Sequence, residues 1–415
     1  MTLPTLDRTT APSSASNLQF DYDIAIIGGG IVGLTVALGL KDSGLKVAVI
    51  EAQAKSDAIA KGQAYAIHLC SRQIWQKLGI WEELEPLIEP FTRVKLTDGN
   101  FPHVVEFHPK DIKSDAVGHV AEHRAICQVM FEALKDSDNI TLFNPVKVDQ
   151  LSIESDIATL NLQSLSKEFP DCPPQIRTRL IIGADGTNSK VRQHCGIKTR
   201  GWRYKQSCIV ATVQSELPHN NTAYEKFWPS GPFAILPSTP KECRIVWTVH
   251  EKDADQLVNM DLDSFTEQLQ QRYGHQMGKI QVVSQRYAFP AKIEHATDYV
   301  RSRVALVGNA AHTYHPVGGQ GLNLGIRDAD ALATTILKSY YRGQDIGELN
   351  SLKPYQRWRK KQNFASLGFT DVLNRVFSNE FPILKPLRRL GLRLMQWIPW
   401  IKVLALKFMA GILVF

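Results

Sequence analysis

The sequence predicts an α/β protein in which a Rossmann-type nucleotide-binding unit is interrupted by an antiparallel sheet and followed by C-terminal helices. Three observations carry this. Residues 22–51, YDIAIIGGGIVGLTVALGLKDSGLKVAVIE, read as one complete strand–helix–strand unit with glycines at its first bend. The strand-then-glycine theme returns at 180–186 and again at 304–321. Between these two, residues 203–290 hold no glycine loop leading into a helix and alternate as sheet strands do.

Taken in order, residues 1–20 are polar and rich in Ser and Thr, with no apolar run, and read as a disordered leader rather than a signal peptide. A strand at 24–27 meets Gly28-x-Gly30-x-x-Gly33, a helix runs through Leu40, and a second strand ends at Glu51. The glycines serve a tight turn, the approach of a pyrophosphate and close helix–strand packing, while Glu51 can accept a hydrogen bond from a ribose hydroxyl. A free 2′-hydroxyl there favours FAD or NAD over NADP. A loop or strand and then a helix follow at 61–86, and a strand pair turns at Asp98-Gly99. Residues 117–134 start extended and become an amphipathic helix with Arg124 near its start. The strand before Gly183 puts Asp185 at a strand carboxyl end, where open α/β sheets bind ligands.

Residues 207–216, 222–238 and 242–251 read as three strands, followed by one helix at 262–273. The strand 304–307 then breaks at Gly308 and passes Asn309, His312, His315 and Pro316. After Gly318, Gly319 and Gly321 a helix begins, with Leu322, Leu324 and Ile326 on its apolar side. A strand end, a glycine-dense bend and an exposed helix N-terminus make a site for something anionic or electron-rich. The expected division is a nucleotide-binding domain of 21–85, 115–200 and 290–345, a substrate domain of 86–114 and 201–289, and a C-terminal helical segment of 346–415.

Hydrophobic residues at 44% and charged residues at 21% fit a globular chain. The net charge of +7 is uneven: residues from 351 onward carry +10, leaving −3 for the body, which argues against a nucleic-acid-binding body. Six scattered cysteines with no CxxC suit a reducing, cytoplasmic setting and no metal site. The tail from 381 holds Lys385, Arg388, Arg389, Arg393, Lys402 and Lys407 with Trp397 and Trp400, and no acid. Its last apolar run falls short of the roughly 20 residues a bilayer span needs. Two roles stay open for it, a helix lying on an anionic membrane surface and a helix packed over the substrate sheet.

GGGIVG with Glu51, GADGTNSKVR and GNAAHTYHPVGGQGLNLGIRDA, in this order, resemble the single-component FAD-dependent aromatic hydroxylases of the p-hydroxybenzoate hydroxylase type. The resemblance spans residues 21–410. HPVGGQGLNLGIRDA, AYEKFWPSGPFAILP with its following VWT, and the tail LRRLGLRLMQWIPWIKVLALKFMAG are similar to the ubiquinone-biosynthesis branch, whose members hydroxylate prenylated phenols. This implies a GR2-type FAD-binding fold in which Gly28, Gly30, Gly33 and Glu51 hold the ADP half of FAD. Arg124 would reach the FAD, Val148 would lie near the adenine, and Asp185 would sit at the cofactor beside a transient NAD(P)H path. Asn309 would bind the ribityl chain, and Gly319, Gln320, Gly321, Leu322 and Asn323 would set helix N–H groups against the flavin ring. Pro316 and His315 would lie on the substrate face, with His315 either the candidate base for the phenol or a loop-stabilising imidazole.

The resemblance further implies O₂ as co-substrate, and NAD(P)H or a redox protein as electron donor. It also implies a polyprenylated phenol or quinone precursor as substrate, of ubiquinone or plastoquinone type, and a quinone-synthesis complex as a further partner. Two positions depart from the family pattern: Asn309 stands where most members have Asp, and Gln63 where many have Arg. A reductase or other flavoprotein on the same scaffold, and a non-catalytic flavin-binding component of such a complex, are the alternative readings.

Overall fold

The strands Tyr22–Ile27, Val47–Ile50, Ile140–Phe143, Gln175–Gly183 and Val304–Leu306 form one parallel ladder. The computed structural model describes residues 19–59, 62–99, 101, 104–166, 172–379 and 381–413; the expected leader lies, up to residue 18, outside the described residues. The strand order is 304–306, 175–183, 22–27, 47–50, 140–143, and Val300–Arg301, Ala158–Ser164 and Val146–Ile153 extend the ladder to an eight-stranded sheet. Such strands are covered on both faces, which is why Val47–Ile50 is buried at every position and reads as an unbroken apolar run. Ile27 pairs with both Ile50 and Gly183, and Gly183 pairs with Leu306, so the carboxyl ends lie level. The bends that follow these strands therefore share one edge of the sheet.

Helices Ile31–Leu40 and Gln320–Tyr341 pack closely beside this sheet; a Cβ on Gly39 would stand 2.8 Å from that of Ala333. Leu349–Phe377 packs along Gln320–Tyr341 in turn.

A second sheet has nine strands: His312–Thr313, Tyr287–Ala296, Thr199–Ser215, Glu242–His250, Gly231–Pro237, Thr222–Trp228, Arg93–Asp98 and Val105–Phe107 in order, with Ile280–Val282 beside Thr199–Ser215. It departs from the expectation in three places. The stretch 222–238 is a hairpin and not a single strand, because Pro229 and Ser230 break it. A helix Glu251–Asn259 precedes the expected one, Leu262–Tyr273. Thr222–Trp228 runs parallel to Arg93–Asp98, since the latter enters from a distant part of the chain and is not joined by a tight turn. Ile209, Ala211, Val213, Ile235, Ile245 and Trp247 pack one face against Phe265, Leu269 and Tyr273 of the helices. A third sheet, Ala64–His68, Gly118–Glu122 and Glu89–Phe91, has Phe91 and Val120 in the core formed on the other face.

The C-terminal helices Leu384–Trp397 and Pro399–Met409 close that other face. Leu392, Leu406 and Ala410 are buried with Leu96, Val105 and Phe107, each buried leucine contributing about 2 kcal/mol. Buried Asp98 receives Arg388 at 2.9 Å and Arg389 at 3.0 Å, and Lys402 reaches Asp111 at 3.0 Å. Packing over the second sheet is thus one role the tail performs. Its outward side stays apolar and open, with Ile383 and Trp397 each 76% exposed and Trp400 67%. No helix among the described residues is long and apolar enough to cross a membrane.

Candidate active site

The first bend is built around absent side chains. Gly28 has φ +109°, and a Cβ there would lie 2.4 Å from the Ala184 carbonyl oxygen; one on Gly33 would lie 2.0 Å from the Gly28 carbonyl oxygen. The backbone of the bend is thereby pressed against the neighbouring strand and the helix. Gly30 differs: nothing lies within 4 Å of its added Cβ, and it lines a cavity. The helix Ile31–Leu40 starts there with no capping side chain and no acid in its first turn, which leaves N–H groups for an anion. Glu51 ends the next strand, with Gly29 N–H donating to its Oε2 at 2.7 Å and Gln53 N–H to its Oε1 at 2.8 Å. The carboxylate is fixed in place with acceptor capacity left over.

Asp185 holds the second bend. Its Oδ2 accepts from the N–H groups of Lys190 (2.7 Å) and Val191 (3.2 Å), while its buried Oδ1 has no partner among the described residues. An acceptor of this kind fits a hydroxyl donor from outside the protein. Val148 pairs with Leu162 in its strand, whose first residue Val146 donates to the Glu51 carbonyl at 2.8 Å. Arg124 stands exposed on the first turn of His123–Leu134.

The third bend is tied down by a group that pattern reading missed. Asp328, fully buried on Gln320–Tyr341, accepts from Gly308 N–H (3.2 Å), His312 Nε2, Arg359 Nε (2.7 Å) and Asn363 Nδ2 (3.0 Å). Burial raises its carboxyl, but His312 and the Arg359 guanidinium outweigh burial and hold it well below the usual range. One carboxylate thus joins the loop 308–312 to two helices, with Asn309 projecting at its exposed side into the cavity lining. Gly318 and Gly319 follow as successive left-handed residues, φ 64° and 62°, and turn the chain into the helix.

Of the five residues expected at the ring, Gly319, Gly321 and Leu322 line the cavity, and Gln320 and Asn323 do not. Their side chains hold the protein together. Asn323 donates to the carbonyls of Ala66 and Gly319, both at 2.7 Å, and accepts from His68 N–H and Ser71 Oγ; Gln320 donates to the Met409 carbonyl at 3.1 Å. Their backbone N–H groups belong to the first turn of the helix in either case. Pro316 lines the cavity, whereas His315 is fully buried and does not. Burial pushes the His315 imidazole down to about 4, its Nδ1 accepts from Val317 N–H at 3.4 Å, and its ring meets Tyr204 edge-on at 5.1 Å. These contacts make it a support for the turn beneath Pro316.

One cavity of about 1380 Å³ takes in Gly30 of the first bend, Gly186 of the second and Asn309 of the third, while Gly28, Gly33, Glu51, Arg124, Val148 and Asp185 lie off its lining. It runs from Gly30 and Thr187, past Asn309 and Gly318 to Leu322, to a wall on the second sheet formed by Val94, Leu96, Ala223, Leu236 and Val246. Met409 and Ala410 of the tail lie on it as well. It exceeds the roughly 300–1,000 Å³ that one drug-sized ligand fills, leaving room for a long cofactor and a second molecule. The open helix N-terminus, the fixed Glu51, the unpaired Asp185 oxygen and the side-chain-free Gly30 and Gly321 all fit FAD.

Residues 21–363 match the family described as FAD binding domain. The chain is 33% identical to the 3-demethoxyubiquinol 3-hydroxylase of Escherichia coli, over 94% of this chain and 98% of that one. It is 32% identical to the ubiquinone hydroxylase UbiL of Rhodospirillum rubrum, over 94% and 90%. Among solved structures, p-nitrophenol 4-monooxygenase from Pseudomonas putida superposes with a TM-score of 0.79 at 17% identity, covering 94% of this chain and 98% of that one, a likeness of fold.

Proposed function

The chain belongs to this FAD-binding family and is a FAD-dependent monooxygenase, and we propose that its substrate is the aromatic ring of a polyprenylated phenol or quinone precursor. The observation that carries the proposal is the continuity of the cavity, from the glycine bends of the first sheet to an apolar wall on the second. Bound and reduced, FAD supplies the electrons with which O₂ delivers an oxygen atom to the ring. The chain's own groups do the rest. Gly28, Gly30, Gly33 and Glu51 hold the ADP half, Asp185 and Asn309 take the hydroxyls between, and the turn at Gly318 to Leu322 aims helix N–H groups at the ring edge where negative charge gathers. Arg124 and Val148 flank the nucleotide end. Pro316 and the sheet wall confine the substrate ring and keep water out.

NAD(P)H or a redox protein brings the electrons, docking without a Rossmann domain of its own. Ubiquinone and plastoquinone precursors are both open as substrates. A strain lacking the protein, profiled by mass spectrometry, is expected to accumulate a quinone intermediate short of one oxygen; an unchanged profile would oppose the proposal.

The tail extends this reading to the membrane. Leu387, Leu390, Leu394 and Trp397 form an exposed stripe at helical spacing, with Lys385 and Arg393 on the same helix, and the following helix contributes Met409 and Ala410 to the cavity. A surface-bound tail would place the cavity beside the bilayer that holds a prenylated substrate. Replacing Trp397 and Trp400 together by serine is expected to reduce cosedimentation with phosphatidylglycerol vesicles about tenfold or more, while FAD content stays unchanged. Equal sedimentation of variant and parent would remove the membrane role.

A further inference from the structure

One carboxyl faces the cavity from the apolar wall. Along Thr222–Trp228 the side chains alternate: Tyr224 packs toward the core under the helices, and Ala223 and Phe227 toward the opposite face. Glu225 lies in phase with the latter pair and lines the cavity. In register it stands between Leu96 and Ala234, with Val246 next in the row, and all three also line the cavity. The adjacent strand Gly231–Pro237 packs against the turn Val317–Gly319. Glu225 is therefore one strand spacing, about 5 Å, from the strand that touches that turn.

The carboxyl of Glu225 has no hydrogen-bond partner among the described residues, and burial pushes it up to about 8. The two Lys and Arg residues of the cavity lining are already engaged. Arg244 is held by Glu122 and Thr212, and Lys292 by Glu294 at 2.7 Å. His68 is bound to the Gly318 carbonyl at 3.0 Å, and burial and Arg327 push it down to about 3. An acid placed in an apolar wall with no protein group to bond is a candidate to meet a substrate hydroxyl.

Resting on the prenylated-phenol reading, we propose that Glu225 is the catalytic acid–base of the hydroxylation, its carboxylate accepting the ring hydroxyl of the substrate. The phenol proton passes to a Glu225 oxygen, and the electron pair of the O–H bond enters the ring and enriches its ortho and para carbons. One such carbon takes an oxygen atom from O₂. The reduced cofactor provides two electrons and two protons, with which the second oxygen atom leaves as water; the proton lost from that carbon restores aromaticity and ends on the new ring oxygen, and Glu225 returns its proton to the first. A group whose two protonation states are both populated near neutral pH is suited to this exchange.

The test compares binding of 2-geranylphenol with that of 2-geranylanisole, its methyl ether, in detergent micelles. FAD-loaded parent, Glu225→Gln and Glu225→Leu are titrated by tryptophan fluorescence, with melting temperatures as the control of folding. The parent is expected to prefer the phenol by about tenfold, one charge-assisted hydrogen bond. In Glu225→Leu that ratio falls to about one while the ether binds as before. Glu225→Gln, which matches the parent in shape, keeps part of the preference and loses about a hundredfold or more in hydroxylation rate. A parent ratio near one, an unchanged ratio in Glu225→Leu, or full turnover in Glu225→Gln overturns the assignment and leaves the substrate class standing. If neither probe binds the parent, the substrate class fails and the assignment with it.

Discussion

Replacing Asp328 by asparagine is expected to lower the free energy of unfolding by about 3–5 kcal/mol, read from the shift of the urea midpoint. The change leaves the buried Arg359 guanidinium without its counter-charge, and removes an acceptor shared by Gly308 N–H, His312 and Asn363. The same network gives the acid limit of stability. Because the folded carboxyl is held below its unfolded value, its contribution is complete above the unfolded pKa of about 3.9 and fades as pH falls below it. The parent should therefore lose stability steeply on acidification below about pH 4, and Asp328→Asn should show a flatter pH profile. A variant with the parent's midpoint and pH profile would show that the network does not hold the loop.

Gly30→Val is expected to weaken FAD binding by at least about a hundredfold, or ~2.8 kcal/mol, while leaving the stability of the FAD-free protein within about 0.5 kcal/mol of the parent. The asymmetry follows from geometry. Gly30 has φ −76°, a conformation any residue adopts, and nothing in the protein lies within 4 Å of an added Cβ. The side chain can only meet a ligand. Gly33→Val, by contrast, drives its Cβ into the Gly28 carbonyl and should destabilise the fold itself. Equilibrium titration with FAD separates the two: unaltered affinity in Gly30→Val would place the pyrophosphate elsewhere.

Much of the fold was legible because its signals are local. Gly28, Gly33 and the pair Gly318-Gly319 are demanded by backbone shape, and a strand that runs into such a glycine declares itself within ten residues. Long-range pairings were not legible. Asp328 sits in the helical run GIRDAD, where it reads as one more surface charge, yet its partner Arg359 comes 31 residues later on another helix. The residues expected at the flavin ring shared that limit. The glycines between them marked the turn, but nothing nearby in sequence shows that the Asn323 amide is spent on Ala66, 257 residues away.

The wall of the cavity was hidden for a different reason. Glu225 alternates correctly within AYEKFW, so it reads as a polar residue on the wet face of a strand. Only the packing of the third sheet and the tail over that face turns it into an interior position. His315 read two ways beside Pro316, as a base on the substrate side or as a support for the loop; the fold turns it into the protein and leaves the proline on the cavity. The tail showed its basic and aromatic character in sequence, but not the buried Arg388–Asp98 pair that fixes which side packs inward.

We propose that separated glycine bends converge on one FAD and present it to a prenylated aromatic ring in the same cavity. This is tested most directly by supplying the FAD-loaded protein with a prenylated phenol, an electron donor and ¹⁸O₂, then weighing the product. Incorporation of a single labelled oxygen into the ring is the predicted result. Consumption of the donor with an unlabelled ring would contradict it.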